Sequence, residues 1–593
     1  MTAQATKTVN RPLLLLFSIC SLAAIFYIPY FIPQAPSASV SWIFGYNNRV
    51  GVVLLLAAIA IGIYWTRGMR LIVSPPAPAK PLPNKLLYGA LAAIFCVCLL
   101  MYLLAGTNGG FEEANYQIDR VWLLQQGKQP YVDFEYAYGA GLLYGPMILR
   151  RVFGVDVAEA YYIFFLVASL AGTFILFKLI GSCNYPTNRS KSIFLLVLIP
   201  GSISILALGT NYSFLRFATP LYFVSLYQGM LFQPRNYSFI RSSLAAAFFT
   251  ALLILISPET ALAFGFACPI LYVLCAPPTS HRALLASTGV LLLLLASIFG
   301  VGWRLQVFST VASAADNANS FPIAIAPHIL LYMASLFLCC CYLFVRFSKN
   351  DFSDRLIGLV LVSIPMTAGA LGRCDPGHVG WYGLGLTISS MFLLSNSPRW
   401  FGRYRNAYLA LVVILFVAGV AVSQPNLLRA LHVWNPPGFA TGPASDLSLD
   451  RLYPSWKGKF LAPFGFNPNG YGTTLSPRIE FGRYEGMLNN DTQESIRQTI
   501  SEMDAHPEEA LLLPEGFDGR CTIHPDFERV DLSLLFAFPY FGKAVHTYSV
   551  RKPLCDFIVE NYEITQPPTA QTFNWGLWVR KQGVRSQKIA VTR

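Results

Sequence analysis

Long apolar runs recur along the first two thirds of this chain. Most approach the ~20 residues that an α-helix needs to cross a bilayer. The run at 244–276 is too long for one span and contains Ser257-Pro258-Glu259-Thr260, which predicts two short helices meeting at a polar break. The pattern predicts a polytopic α-helical membrane protein with about 13 transmembrane helices. The runs lie near 12–32, 50–66, 86–105, 157–182, 192–209, 217–233, 244–276, 283–301, 323–347, 356–372, 379–397 and 407–424.

The composition also indicates burial in a membrane. Hydrophobic residues make up 54% of the chain and charged residues only 12%, whereas soluble domains are about 25% charged. The formal net charge is +13, but residues 424–593 hold 17 Lys/Arg against 18 Asp/Glu, so the excess positive charge belongs to the apolar part. There it is a topology signal, and we expect no nucleic-acid partner.

The placement of the basic residues orients the chain. With the N-terminus in the cytoplasm, 18 of the 26 basic residues in 1–423 fall in cytoplasmic turns, as the positive-inside rule requires. An odd number of crossings then places the C-terminus outside. We therefore expect a multi-pass protein of the cell inner or plasma membrane, with a transmembrane domain at 1–424 and a soluble extracytoplasmic α/β domain at 425–593.

The C-terminal segment has mixed local patterns. A helical pattern at 491–503 precedes a strand pattern at 509–513, which predicts a small α/β domain. Cys521 and Cys555 are the two cysteines of this segment. An oxidising compartment would permit a disulfide between them, but spacing alone leaves open whether they pair.

The loop after the third span, within 106–156, is unusually rich in acidic residues. Its residues 112–126 have the apolar spacing of an interfacial helix, and a turn follows. From composition alone, this could simply be a solvated loop. Five carboxylates fall within 24 residues: Glu112, Glu113, Asp119, Asp133 and Glu135.

A short motif follows this helix. The turn reads Gly127-Lys128-Gln129-Pro130-Tyr131-Val132-Asp133-Phe134, and Gly145-Pro146 comes after it. With the acidic pair Glu112-Glu113, it resembles the first extracytoplasmic loop of the C-type (GT-C) glycosyltransferases, which use lipid-phosphate-linked sugars. This superfamily includes protein O-mannosyltransferases and bacterial lipid A aminoarabinose transferases. The family pair is often Asp-Glu, so Glu at 112 leaves open which carboxylate acts. The resemblance covers roughly residues 86–400.

The resemblance implies a GT-C-like membrane glycosyltransferase. Such an enzyme moves a sugar from a polyprenyl-phosphate donor to a hydroxyl of a lipid, glycan or protein acceptor on the extracytoplasmic face. The acceptor hydroxyl must lose its proton, and a carboxylate within ~3 Å can take it; Glu112 or Glu113 is the expected base. Asp133 would organise the loop or supply a second carboxylate. The loop carboxylates could also bind a divalent cation, although some members of the superfamily work without metal.

A departing lipid phosphate needs fixed cations. Arginine suits this role because its planar guanidinium can grip phosphate oxygens in pairs. Arg216, Arg373 and Lys128 are candidates on the predicted outer face, although each could be an ordinary snorkelling residue. Next to Arg373, Asp375 and His378 would form a donor-phosphate or acceptor site with it, or only a structural ion pair.

Glu259 is the other exceptional residue, because it lies at the predicted break between two apolar helices. An ionisable group in such surroundings is costly and indicates a functional site by default. The alternative is that Glu259 only stabilises the first turn of the second helix, where acidic residues are favoured.

Two other functions fit a protein of this class. A transporter or lipid flippase would also use buried charges and broken helices, but it predicts inverted repeats, and we find no internal repeat. A non-catalytic assembly component would leave the loop acids exposed and replaceable. The sequence has no P-loop, HExxH or paired CxxC motif, so nucleotide or zinc chemistry is unsupported.

Overall fold

A computed structural model describes residues 11–36, 39–66, 82–108, 112–183, 187–232, 239–275, 321–395, 406–412, 449–463, 479–480, 493–515, 517, 550–569, 572 and 575–582. Helices dominate the part before residue 413. They are α1 Arg11–Tyr27, α2 Val40–Ile43, α3 Asn48–Thr66, α4 Asn84–Asn108, α5 Glu112–Gln125, α6 Gly141–Phe153, α7 Val157–Ser182, α8 Thr187–Ala207, α9 Phe214–Leu231, α10 Phe239–Ile256, α11 Pro258–Cys275, α12 Pro327–Lys349, α13 Leu356–Ser363, α14 Thr367–Arg373, α15 Pro376–Tyr382 and α16 Leu384–Ser395.

Several of these helices have the length and composition of membrane spans. Among the described residues, five qualify outright, namely α3, α4, α7, α11 and α12. Helices α13 and α14, bent by 43° at their junction, would make a sixth if they form one broken span. The predicted run at 283–301 and most of that at 407–424 lie outside the described residues, so the count of about 13 stays a prediction.

Several of the loops that join successive helices lie at one end of the bundle. Near the start of α7, the Tyr161 hydroxyl donates to the Leu208 carbonyl after α8 at 2.6 Å. Near the start of α12, His328 Nε2 lies 3.0 Å from the carbonyl of Cys374. Farther along α12, Arg346 pairs with Asp354 at 3.1 Å. From His328 to Arg346 the helix rises roughly 27 Å, close to the ~30 Å of a hydrocarbon core.

The predicted break at Ser257 is confirmed. Helix α10 ends at Ile256 and α11 begins at Pro258, a residue suited to the first helical position because its missing N–H costs nothing there. The acidic loop covers the break: the Gly139 N–H donates to the Ile256 carbonyl at 3.3 Å. A Cβ at Gly139 would lie 2.3 Å from the Leu255 carbonyl oxygen, so only glycine permits this approach.

Within its described residues, the C-terminal part contains a five-stranded mixed sheet in the order β2-β1-β3-β5-β4. Strand β1 pairs in parallel with β2 and β3, and β5 pairs antiparallel with β3 and β4. Its elements are α17 Leu449–Leu452, β1 Phe460–Leu461, β2 Ile479–Glu480, α18 Gln493–Ala505, β3 Ala510–Pro514, α19 Lys552–Asn561, β4 Tyr562–Gln566 and β5 Trp575–Arg580.

The side chains of β3 alternate between two apolar clusters, as the period of a strand requires. Leu511 and Leu513 pack with residues of α18 and α19, whereas Leu512 packs on the other face. Helix α18 and strand β3 confirm the predicted helix at 491–503 and strand at 509–513. Cys555 is disulfide-bonded. Cys521, with which the sequence left a pairing open, lies outside the described residues.

The close approach of α7 and α9 generates a stability prediction. A Cβ at Gly172 would lie 2.5 Å from the backbone nitrogen of Leu215, so Gly172→Ala must force the two helices apart. We expect it to destabilise the protein by about 1–3 kcal/mol, measured as a lower Tm of the purified protein in detergent. Gly181→Ala on the same helix is the control, because a Cβ there meets nothing within 4 Å. Equal losses in both variants would contradict the close approach.

Candidate functional site

The acidic loop is a packed element of the fold. Helix α5 packs on α6, α7 and α8, and Ala114, Val121 and Tyr136 have no exposed surface. The Tyr136 hydroxyl donates to the buried side chain of Gln117 at 2.8 Å. Asp119 and Glu135 are likewise buried in the protein. The interpretation of the segment as a solvated loop is therefore wrong for Asp119 and Glu135.

The turn after α5 holds a strained residue. Tyr131 has a φ of 68°, in the left-handed region that bulky side chains rarely adopt. Its N–H donates to the Phe134 carbonyl at 2.8 Å, and its hydroxyl donates to the Tyr138 carbonyl. These bonds at both ends of the residue keep it in the unfavourable conformation and fix the path of the chain from the turn to Tyr138.

Lys128 and Asp133 lie in the same turn, and both are exposed. The Asp133 carboxylate accepts the backbone N–H of Gln129 at 2.7 Å, which fits the loop-organising role predicted as one of its two options. Within the described part of the chain, no hydrogen bond or ion pair joins either residue to the other candidate site residues. The structure therefore does not bring these two side chains into the cluster described below.

Glu113 is the loop carboxylate that the structure places in a polar cluster. It lies in the first turn of α5 and is partly buried. The side-chain amide of Asn211 donates to Glu113 Oε2 at 2.8 Å and also to the Tyr138 hydroxyl at 2.9 Å. The side chain of Glu112, the other candidate base, lies outside the described part of the structure.

Arg216 lies in the first turn of α9 and is almost completely buried, with 3% of its side chain exposed. Its Nη1 donates to the carbonyl of Asn211 at 2.7 Å. Its Nε donates to Ser257 Oγ at 3.1 Å and to Glu259 Oε1 at 3.0 Å. Its Nη2 donates to Glu259 and to the Tyr382 hydroxyl, the latter at 2.9 Å. The guanidinium thus links three segments at the same end of the bundle, namely those that contain Asn211, Ser257 and Tyr382.

Glu259 is the counter-ion of Arg216. Its carboxylate also accepts from Ser257 Oγ at 2.5 Å and from the Tyr382 hydroxyl at 3.2 Å. Because Glu259 lies in the first turn of α11, it also meets the helix end where negative charge is favoured. The sequence predicted that Glu259 lies at the break, in the first turn of the second helix. It did not predict that Arg216 is its partner.

Arg373, Asp375 and His378 form a second charged group, and the structural ion pair considered above is present. Arg373 Nε and His378 Nδ1 each lie 2.8 Å from Asp375 Oδ2. The His378 backbone N–H donates to Asp375 Oδ1 at 2.9 Å, so Asp375 caps α15. The Tyr212 hydroxyl lies 3.4 Å from both ring nitrogens of His378.

The charges of this group shift the pKa values of its own members. Burial acts to raise the pKa of Asp375, but His378 and Arg373 together hold it well below its usual range. Burial lowers the pKa of His378 even though Asp375 opposes the shift. The carboxylate is therefore ionised throughout the physiological range.

Two tyrosines connect the acid with the arginines. Burial and the Glu113 carboxylate raise the pKa of Tyr138 to about 12, while Arg216 and Arg373 oppose the rise. Burial, Tyr138 and Glu113 raise the pKa of Tyr212, against the opposing charge of Arg373. Glu113 and both arginines therefore act on the same hydroxyl, that of Tyr138.

The structure brings most of the sequence-predicted site residues to one end of the bundle. Sequence analysis missed Asn211, Tyr138 and Tyr382. Asn211 opens the segment Asn-Tyr-Ser-Phe-Leu-Arg-Phe that contains Arg216, so a polar amide directly after an apolar run was the available signal. The predicted residues at this end are Glu113, Arg216, Glu259, Arg373, Asp375 and His378.

The described loop carboxylates do not converge on a divalent-cation site. Among the described residues, the group with metal-ligand spacing is His506, Glu508 and Glu509, whose ligand atoms lie within 4.8 Å of one another. This group lies between α18 and β3 and contains no residue of the loop.

No protein-family model and no curated protein matches this chain. Among solved structures, the chain is similar to ArnT from Cupriavidus metallidurans in the apo state, with 13% sequence identity and a TM-score of 0.38. The similarity covers 71% of this chain and 92% of that chain. Because the TM-score is low, we infer function from the geometry of this chain's own residues.

The depressed pKa of Asp375 generates a pH prediction. Its ionised form stabilises the fold above the ordinary carboxyl range, about pH 4, and this stabilisation is lost as the pH falls toward the folded-state pKa. We expect Asp375→Asn to cost about 2 kcal/mol at pH 7, with a smaller difference from wild type below pH about 4. Thermal unfolding between neutral and acidic pH measures this.

The control for Asp375→Asn is Glu563→Gln, a neutralised carboxylate on β4 that is exposed. We expect it to change Tm little at any pH. A Tm difference between Asp375→Asn and wild type that stays constant with pH would contradict the assignment of this carboxylate as ionised and paired.

Proposed function

We propose that this chain is a membrane glycosyltransferase that moves a sugar from a polyprenyl-phosphate donor to an acceptor hydroxyl on the extracytoplasmic face. One observation carries the proposal: Glu113 and a pair of arginines meet at one end of an apolar helical bundle, with Asn211 bonded to both Glu113 and Arg216. The resemblance of the loop sequence to GT-C glycosyltransferases supports the same reaction.

Glu113 is the proposed general base. The amide of Asn211 restrains its carboxylate, so an acceptor hydroxyl within ~3 Å could give up its proton during attack on the anomeric carbon. The new bond joins the acceptor oxygen to that carbon, the bond from the carbon to the phosphate oxygen breaks, and the proton resides on Glu113. Glu112, the neighbouring residue, is the alternative base.

The two arginines are the candidates for the cation that meets the leaving group. As the glycosidic bond breaks, negative charge grows on the lipid phosphate, and fixed guanidinium groups stabilise it. Arg373 is held by Asp375, which His378 also contacts, and Arg216 is held by Glu259. Lys128, which lies in the exposed turn, would contact the donor only at the edge of the site. Asp133 would stabilise the conformation of that turn.

The proposed location is the inner or plasma membrane, with the N-terminus in the cytoplasm. The disulfide-bonded state of Cys555 supports an extracytoplasmic position for the domain at 425–593, because disulfides persist in oxidising compartments. This domain would cover the site at 106–156 or help to select the lipid, glycan or protein acceptor.

A lipid transporter or flippase is the second candidate. The observation that favours it is the ion pair of Arg216 and Glu259 at a broken helix, since transporters bind substrates at such breaks. It would move the lipid-linked sugar between leaflets and leave the glycosidic bond intact. The fate of that bond separates the two functions.

The direct test replaces the proposed base. Glu113→Gln keeps the size of the side chain but removes the proton acceptor, so we expect sugar transfer to fall about 10²–10⁴-fold. Transfer is measured in membranes supplied with a panel of radiolabelled polyprenyl-phosphate sugars. Glu112→Gln tests the alternative base, and Glu563→Gln controls for the loss of one carboxylate.

Full transfer activity in both single variants and in the double variant would refute the mechanism. Movement of the labelled lipid across the bilayer by the wild-type protein, with its sugar still attached after incubation with acceptors, would favour the transporter instead.

A further inference from the structure

We infer that the two arginines have different roles: Arg373 contacts the donor phosphate, whereas Arg216 is a positioning residue that holds the base in place. This inference rests on the proposed function and divides a task that the sequence assigned to both residues. It follows from which N–H donors of each arginine are already hydrogen-bonded, from how exposed each side chain is, and from which segments each one joins.

The donors of Arg216 are largely committed to the protein. A guanidinium has five N–H bonds in a fixed planar arrangement. In Arg216, Nε–H, both hydrogens of Nη2 and one of Nη1 point to acceptors on Ser257, Glu259, Tyr382 and Asn211. A phosphate could bind Arg216 in a bidentate manner only after displacing Glu259. The side chain is also 3% exposed, so a ligand has little access to it.

Arg373 differs from Arg216 both in its exposure and in the hydrogen bonding of its donors. Its side chain is 29% exposed, and its Nε makes a charge contact with Asp375 at 2.8 Å that lacks hydrogen-bond geometry. Within the described residues, no side-chain hydrogen bond from Arg373 is formed, so its donors are available to phosphate oxygens. The contact of Asp375 with Arg373 is at Nε.

Arg216 reaches the base through a single residue. Its Nη1 binds the backbone carbonyl of Asn211, and the side chain of Asn211 binds Glu113. Arg216 also lies under the ring of Tyr138, with 4.6 Å between the guanidinium carbon and the ring centre, and Tyr138 is the second acceptor of the Asn211 amide. Loss of Arg216 would therefore release Asn211 and Tyr138, and with them the orientation of Glu113.

Glu259 makes this arrangement dependent on charge balance. Arg216 is buried and Glu259 is partly exposed. Removing Glu259 would leave the buried guanidinium uncompensated, which is far more damaging than removing both charges. If Arg216 acts only through position, a neutral Gln–Gln pair can preserve part of the arrangement. If Arg216 binds the donor phosphate, the same double variant must lack that contact.

The experiment compares Arg216→Gln, Glu259→Gln, the double variant and Arg373→Gln in the full-length protein. The readouts are kcat, donor KM and Tm in detergent, with a radiolabelled polyprenyl-phosphate sugar as the probe. Arg497→Gln on α18, an arginine with 74% of its side chain exposed, is the control for loss of one positive charge.

We expect Arg373→Gln to raise donor KM by about tenfold or more, as for the loss of a charged hydrogen bond. We expect Arg216→Gln and Glu259→Gln to lower kcat and Tm while donor KM stays within about twofold of wild type. In the double variant, both kcat and Tm should recover relative to the single variants. Arg497→Gln should match wild type.

Two results would overturn the inference. One is an increase in donor KM for Arg216→Gln as large as that for Arg373→Gln. The other is a double variant no better than Arg216→Gln in kcat and Tm. A wild-type protein without transfer activity would instead refute the proposed function, and Tm recovery in the double variant would then still decide whether Arg216 and Glu259 act as a positioning pair.

Discussion

The ion pair between Arg216 and Glu259 is the interaction on which this end of the molecule depends. It joins the start of α9, the break between α10 and α11, and helix α15 through Tyr382. The guanidinium of Arg216 is buried, whereas Glu259 is 28% exposed. A buried charge is costly to desolvate, and it is stable only when its counter-ion and further hydrogen bonds satisfy it. Ser257, Asn211 and Tyr382 provide those bonds, so the position of each connection depends on the others.

The apolar bundle explains why the polar groups gather where the helices end. Backbone groups within a hydrophobic span must be satisfied internally, so a break such as that at Ser257 needs another segment to cover it. The acidic loop does this through Gly139, whose N–H reaches the Ile256 carbonyl. The loop that carries the candidate base is thereby tied to the broken helix that carries Glu259.

Local patterns predicted the local structure, whereas contacts between distant residues were beyond the sequence. Apolar spacing located α5 and α18, and Ser-Pro-Glu-Thr located the break. The partner of Arg216 lies 43 residues away, and the amide that binds Glu113 lies 98 residues from it, so only packing could reveal these pairs. Lys128 was grouped with the site as a cation on the predicted outer face, but it is exposed in the turn and makes no hydrogen bond or ion pair with the cluster among the described residues. The left-handed Tyr131 was also unpredictable, since an aromatic residue disfavours that conformation.

Asn211 takes part in the two halves of the cluster through different atoms. Its side-chain amide donates to Glu113 and Tyr138, whereas its backbone carbonyl accepts from Arg216. Every amino acid has that carbonyl, so a change of residue type at this position would alter the surroundings of the acid and leave the acceptor for the guanidinium in place. Position 211 is thus a point where natural variation can adjust the reactivity of the carboxylate without dismantling the scaffold around it.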